Sequence, residues 1–97
     1  MSLAAINTIE IHPIPGQSTA LQSQLNELLE TLRDTPGCAA YTLTCSTSPK
    51  VPWIITGHWH STEHMQAHFN LPCLARFFEL TTQHLASSLQ LRTFIAH

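Results

Sequence analysis

Charge is scarce in this chain of 97 residues: Lys and Arg number 4, Asp and Glu 6, and charged residues make up 10% against 43% apolar. The four cations, Arg33, Lys50, Arg76 and Arg92, are scattered, so no basic run can neutralise a line of phosphates, and nucleic acid is not expected as a partner. Long apolar runs are missing too. None approaches the about 20 residues of a membrane helix, and the start, Met-Ser-Leu-Ala, lacks the basic and apolar regions of a signal peptide. The expectation is a cytoplasmic protein with no membrane contact. Cysteine is odd in number, and Cys38, Cys45 and Cys73 match no metal spacing such as C-x-x-C, which argues against a disulfide framework or a zinc ribbon. They read as small core residues.

What is present suffices for a single domain over residues 1–97 with one modest core. So little charge leaves apolar surface to be covered by a partner. Residues 3–12 alternate, with Leu3, Ala5, Asn7, Ile9 and Ile11 on one face of a first strand. After Pro13, Pro15 and Gly16, the leucines 21, 25, 28, 29 and 32 form the stripe of an amphipathic helix. Thr19 and Gln22 suggest a capping box at its start, and Pro36-Gly37 a stop beyond its end. Residues 38–46 and 53–60 read as the second and third strands, the latter with Trp53, Ile55, Gly57 and Trp59 opposite Ile54, Thr56, His58 and His60.

Ser61 is a natural N-cap for a short helix with Met65, His68 and Phe69 facing inward. A Leu71-Pro72 step precedes another helix, expected to bury Leu74, Phe77, Phe78, Thr81 and Leu85 and to close at Ser87-Ser88. Residues 89–96 alternate as a fourth strand. The order β-α-β-β-α-α-β is the split βαβ plan: an α+β, ferredoxin-like βαββαβ sandwich whose helices cover one face of a four-stranded antiparallel sheet. The first and third strands are apolar on both sides, so the uncovered face is expected to pack on a second copy as a homodimer. Trp53, at a strand start, is a further candidate for that contact.

Seven histidines invite a metal, above all His58 and His60 on one strand and His64 and His68 a helical turn apart. The strand pair points away from the Trp59 face, so no shared metal site is expected. His12, His84 and His97 read as solvated.

The stretch Gly57-His58-Trp59-His60-Ser61-Thr62-Glu63-His64-Met65-Gln66-Ala67-His68-Phe69, followed by Leu74-Ala75-Arg76-Phe77-Phe78, resembles the antibiotic biosynthesis monooxygenase family of dimeric α+β barrels. The matching positions are Trp59, Ser61, Glu63, Ala67 and His68. The resemblance implies a pocket between sheet and helices in each subunit, with Tyr41, Ile9, Ile55, Phe77 and Phe78 as substrate-binding residues. It also implies a cofactor-independent oxygenase acting on a small aromatic ligand, a phenol, anthrone or quinol, with neither metal nor organic cofactor. On that footing Trp59 stacks on the ring, Asn7 hydrogen-bonds the developing phenolate, and His68 takes or positions the proton. Two alternatives accompany this reading. One is a non-catalytic module binding an apolar ligand in the same pocket. The other is haem degradation, for which Asn7 fits but His68 stands at the tryptophan position and Phe78 at the iron-ligand position.

Overall fold

The computed structural model describes residues 4–48, 50–69 and 72–95, and within 72–74 the backbone only. Leu3, the Leu71 half of the helix-breaking step, Ala96, His97 and the side chains of Cys73 and Leu74 lie outside this description. The chain runs β1 (Ala5–Pro13), α1 (Ser18–Arg33), β2 (Cys38–Thr44), β3 (Trp53–Trp59), α2 (Thr62–His68), α3 (Pro72–Thr82) and β4 (Ala86–Ile95). The strands form one sheet of order β2-β3-β1-β4, every pairing antiparallel. This is the α+β, ferredoxin-like βαββαβ arrangement expected from the sequence.

The alternation of β1 is literal: Ala5, Asn7, Ile9 and Ile11 are buried while the residues between them are half-buried. On β3 the same face carries Trp53, Ile55, Gly57 and Trp59. The five leucines of α1 all pack onto this face, and with Met65, Phe77 and Leu80 they make a single core. Each such side chain contributes about 1.5–3 kcal/mol by leaving water. Arg33, in the last turn of α1, donates from Nε to the Tyr41 carbonyl at 3.0 Å and so ties the helix to β2.

Several local expectations do not hold. No capping box forms, because α1 begins at Ser18 behind an N-cap Gln17 that makes no side-chain bond, leaving Thr19 already inside the helix. Trp53 is not at an interface within reach of a partner's edge: it is 6% exposed on the inner face, its Nε1 donating to the Ser46 carbonyl at 3.3 Å. Cys45 is exposed, whereas Cys38 is half-buried against the core, and burial pushes its thiol pKa up.

In α3, Phe77 and Leu80 face the core and Phe78 is 51% exposed, about 100° further round the helix. Ser87 and Ser88 do not close α3 but lie within β4. The helix ends earlier by a left-handed turn. His84 has φ 59°, its N–H donates to the Thr81 carbonyl and that of Leu85 to the Leu80 carbonyl, the paired bonds of a Schellman motif.

The opposite face of the sheet carries Ile6, Thr8, Ile54, Thr56, His58, Arg92 and Phe94, and among the described residues no helix covers it. Ile54 and Phe94 stand 37% and 52% exposed there. Among the described residues, no helix is long and apolar enough to cross a membrane.

Candidate active site

Three residues lie side by side across the sheet: Asn7 on β1, Gly57 on β3 and Tyr41 on β2. The middle one has no side chain, so the outer two can reach over it. A Cβ built on Gly57 would collide with Asn7 Oδ1 and come within 2.8 Å of the Tyr41 ring, closer than real Cβ atoms approach. Asn7 Nδ2 thereby donates to the Tyr41 hydroxyl at 2.9 Å. Two residues beyond Gly57 on the same face, Trp59 donates from Nε1 to Asn7 Oδ1 at 2.7 Å. From α2, His68 brings Nε2 to 3.2 Å from the Tyr41 hydroxyl.

The result is a continuous hydrogen-bonded chain, Trp59–Asn7–Tyr41–His68, in which no member is more than 1% exposed. Its direction is set by chemistry. An indole nitrogen can only donate, so the Asn7 oxygen faces Trp59 and its amide hydrogens face Tyr41. With the Tyr41 oxygen accepting from Asn7, the same hydroxyl shares its second hydrogen bond with Nε2 of His68. Burial holds the His68 pKa down at about 4, so the ring is neutral near pH 7. Its Nδ1 is buried and, among the described residues, has no hydrogen-bond partner.

The rings are packed as tightly as the polar atoms. His68 stacks on Trp59 with centroids 4.9 Å apart and planes at 30°, and Tyr41 meets Trp59 edge-on at 6.2 Å. The Trp59 face expected to receive a substrate ring is thus occupied by the His68 imidazole. Both ends of the Asn7 amide are likewise taken by protein side chains.

His68 also borders an open pocket of about 220 Å³, whose other walls are Thr35, Pro36, His64 and Ala67. None of Ile9, Ile55, Phe77 or Phe78 lines it. The first three are buried to 1% or less in the core, and Phe78 points to solvent. The structure therefore joins Asn7, Trp59, His68 and Tyr41 into one network but leaves the four other expected lining residues apart from the pocket. Nothing in the sequence signalled that Thr35, Pro36, His64 and Ala67 share a pocket, although the spacing of His64 and His68 placed both on one helix face. Gly37 brings the turn after α1 against α2: at φ 83° and with His64 packed where a Cβ would stand, the position suits glycine alone.

A second cleft, of about 190 Å³, is lined by Pro13, Pro15, Ser46, Ser48, Val51 and Trp53 among others and holds no titratable side chain. Among the described residues no group of three or more His, Cys, Asp or Glu could hold a metal ion. Phe78, in the position compared with an iron ligand, has no donor atom, and His84 lies past the end of α3 in its left-handed turn.

The fold recurs in solved structures. A candidate antibiotic biosynthesis monooxygenase from Deinococcus radiodurans superposes with a TM-score of 0.84 at 19% identity, covering 96% of this chain and 92% of the other. The protein PA3566 from Pseudomonas aeruginosa gives 0.78 at 21% identity, with 100% and 97% covered. Rv0793 from Mycobacterium tuberculosis gives 0.75 at 18%, with 99% and 96% covered. No curated protein matches the sequence. The model of the antibiotic biosynthesis monooxygenase family matches residues 4–80, most of the chain and every member of the buried network, and the protein belongs to that family.

Proposed function

We propose that the protein is a small monooxygenase that oxidises a phenol, anthrone or quinol-type aromatic with O₂, without a metal or organic cofactor, as a homodimer joined through its open sheet face. The observation that carries this reading is the buried chain Trp59–Asn7–Tyr41–His68 ending in an imidazole that borders the pocket. For such chemistry a protein must hold the ring, stabilise the anion formed when the hydroxyl proton leaves, and keep water away, after which the electron-rich anion reduces O₂ directly.

In this reading the substrate lies against His68. The neutral imidazole, its Nδ1 buried, forms part of the pocket wall beside which the substrate oxygen gains negative charge. A ring with a pKa of about 4 is a poor acceptor for a phenolic proton, so His68 positions and stabilises rather than deprotonates. Asn7 acts through Tyr41: it fixes the hydroxyl that meets His68 Nε2. Trp59 anchors the chain and stacks beneath the imidazole, fixing its plane.

A second reading, a module that binds an apolar ligand without turning it over, is favoured by one feature: the Asn7 amide is fully bonded inside the protein. Oxygen uptake with a panel of phenols, anthrones and quinols separates the two. The oxygenase reading expects uptake by the wild type that falls at least tenfold in Asn7→Ala and Trp59→Phe. Ligand binding with no uptake on the whole panel decides for the second reading.

A further inference from the structure

The pocket beside the buried network has walls from two elements. Thr35 and Pro36, in the turn after α1, form one, and His64 and Ala67, on α2, form the other. The walls are joined where the His64 side chain takes the space that a Cβ on Gly37 would need. The surface between them is almost wholly apolar. Both His68 nitrogens are buried, Nε2 against the Tyr41 hydroxyl, and His64 Nδ1 is bonded to Ser61 Oγ. A hydroxyl carried into this space therefore loses its water and finds no partner there.

Size and shape narrow the occupant further. About 220 Å³ exceeds the roughly 150 Å³ cavity that holds benzene, so one six-membered ring is seated in full. The pocket is open, so its volume limits only the part of a ligand that enters. Pro36 and His64 set a rigid ring in each wall, against which a flat ring packs with less void than an alkyl chain.

We propose that this pocket is a subsite for a ring that bears no oxygen: a fused-ring aromatic inserts its unsubstituted ring and leaves the oxygen-bearing ring at the opening. The proposal rests on the reading above that an aromatic ligand lies against His68, and adds a rule of selection to it. An anthrone, with its oxygen on the middle of three rings, offers a terminal ring, and naphthalene-1,4-diol offers its second ring. Benzene-1,4-diol has no such ring. Selection works by exclusion, since a polar group on the inserted ring is left unpaired. Ala67, the smallest side chain in either wall, leaves the space that the ring takes.

Calorimetric titration under nitrogen compares naphthalen-1-ol, which has one ring without oxygen, with naphthalene-1,6-diol, which has none. The diol is expected to bind about 10- to 100-fold more weakly, the range over which an apolar pocket rejects an added hydroxyl. Ala67→Leu keeps a good helix former at an exposed position and fills the space, so it should weaken naphthalen-1-ol at least tenfold with far-UV circular dichroism unchanged. Octan-1-ol probes the other apolar occupant: binding tighter than that of naphthalen-1-ol assigns the pocket to an alkyl chain and overturns the proposal. Affinities of the two naphthalenes within threefold of each other, binding of neither, or a folded Ala67→Leu that binds like wild type also overturn it. Oxygen uptake with naphthalene-1,4-diol, corrected for autoxidation, keeps the two readings apart. The binding preference without uptake removes the oxygenase and leaves the subsite standing, whereas uptake without the preference removes the subsite alone.

Discussion

Gly57 shows how a missing side chain organises a site. Asn7 and Tyr41 sit on strands separated by β3, about 10 Å apart across the sheet, and bond only because nothing rises between them. Gly57→Ala places a methyl group against Asn7 Oδ1 and the Tyr41 ring. It is expected to cost about 1–3 kcal/mol in urea unfolding, the range for overpacking a tight interior. Tyr41→Phe in the Gly57→Ala background should then cost less than in wild type, since the bond it removes is already broken. His68 has a separate signature. Above pH 6.5 its ring is neutral whether folded or unfolded. Below that, the unfolded chain takes up a proton that the native ring, at about 4, refuses, so stability falls with pH between 6.5 and 4 and levels off beneath. From pH 7 to 4.5 this amounts to about 2 kcal/mol. Comparing unfolding of wild type with His68→Gln at both pH values isolates it: equal pH slopes in the two proteins would contradict a neutral buried ring.

At the scale of elements, two amphipathic helices turn out differently. The stripe of α1 repeats over four turns, and every leucine in it is buried. The stripe of α3 is short and ambiguous because Phe77 and Phe78 are adjacent, so only one of them can face the sheet, and Leu80 completes the inward pair. Its end is marked by a histidine at φ 59° where glycine would ordinarily stand. A residue with a Cβ bears about 1–2 kcal/mol in that conformation. His84→Gly should thus stabilise the protein by about 0.5–1 kcal/mol, read as a rise in thermal midpoint, whereas His84→Ala should give no gain. A fall in midpoint for the glycine variant would mean that the His84 side chain contributes more than its backbone strain takes away.

For the whole molecule, the governing fact is that all the helices cover one face of the sheet. The other presents Ile6, Ile54 and Phe94 around the partly buried His58, with one ion pair, Arg92 to Glu10 at 3.9 Å. That pair is exposed and adds little to stability. Burying this face against a second copy removes apolar surface that the chain's few charges cannot screen. Ile54→Glu and Phe94→Glu, which place like charges opposite one another across a two-fold contact, are expected to convert a dimer to monomer in light scattering at micromolar concentration. They should leave the far-UV circular dichroism unchanged. Wild-type protein that scatters as a monomer would remove the dimer from the proposal.

The order of elements, the inner and outer faces of β1 and β3, the α1 core stripe and the Ser61 cap were all legible in the linear sequence. Each is a local property of period two or period 3.6, or of a single capping side chain. Asn7, Tyr41, Trp59 and His68 could be picked out one by one as polar or aromatic residues on inward faces. Their connection could not. It depends on the register that aligns Asn7, Gly57 and Tyr41, and on the placement of α2 over β3, both set by long-range pairing. The pocket escaped for the same reason, because Thr35 and Pro36 meet His64 and His68 only once the turn after α1 folds onto α2. Sequence periodicity decided which way the side chains of β1, β3 and α1 point, and tertiary packing alone decided what they meet there.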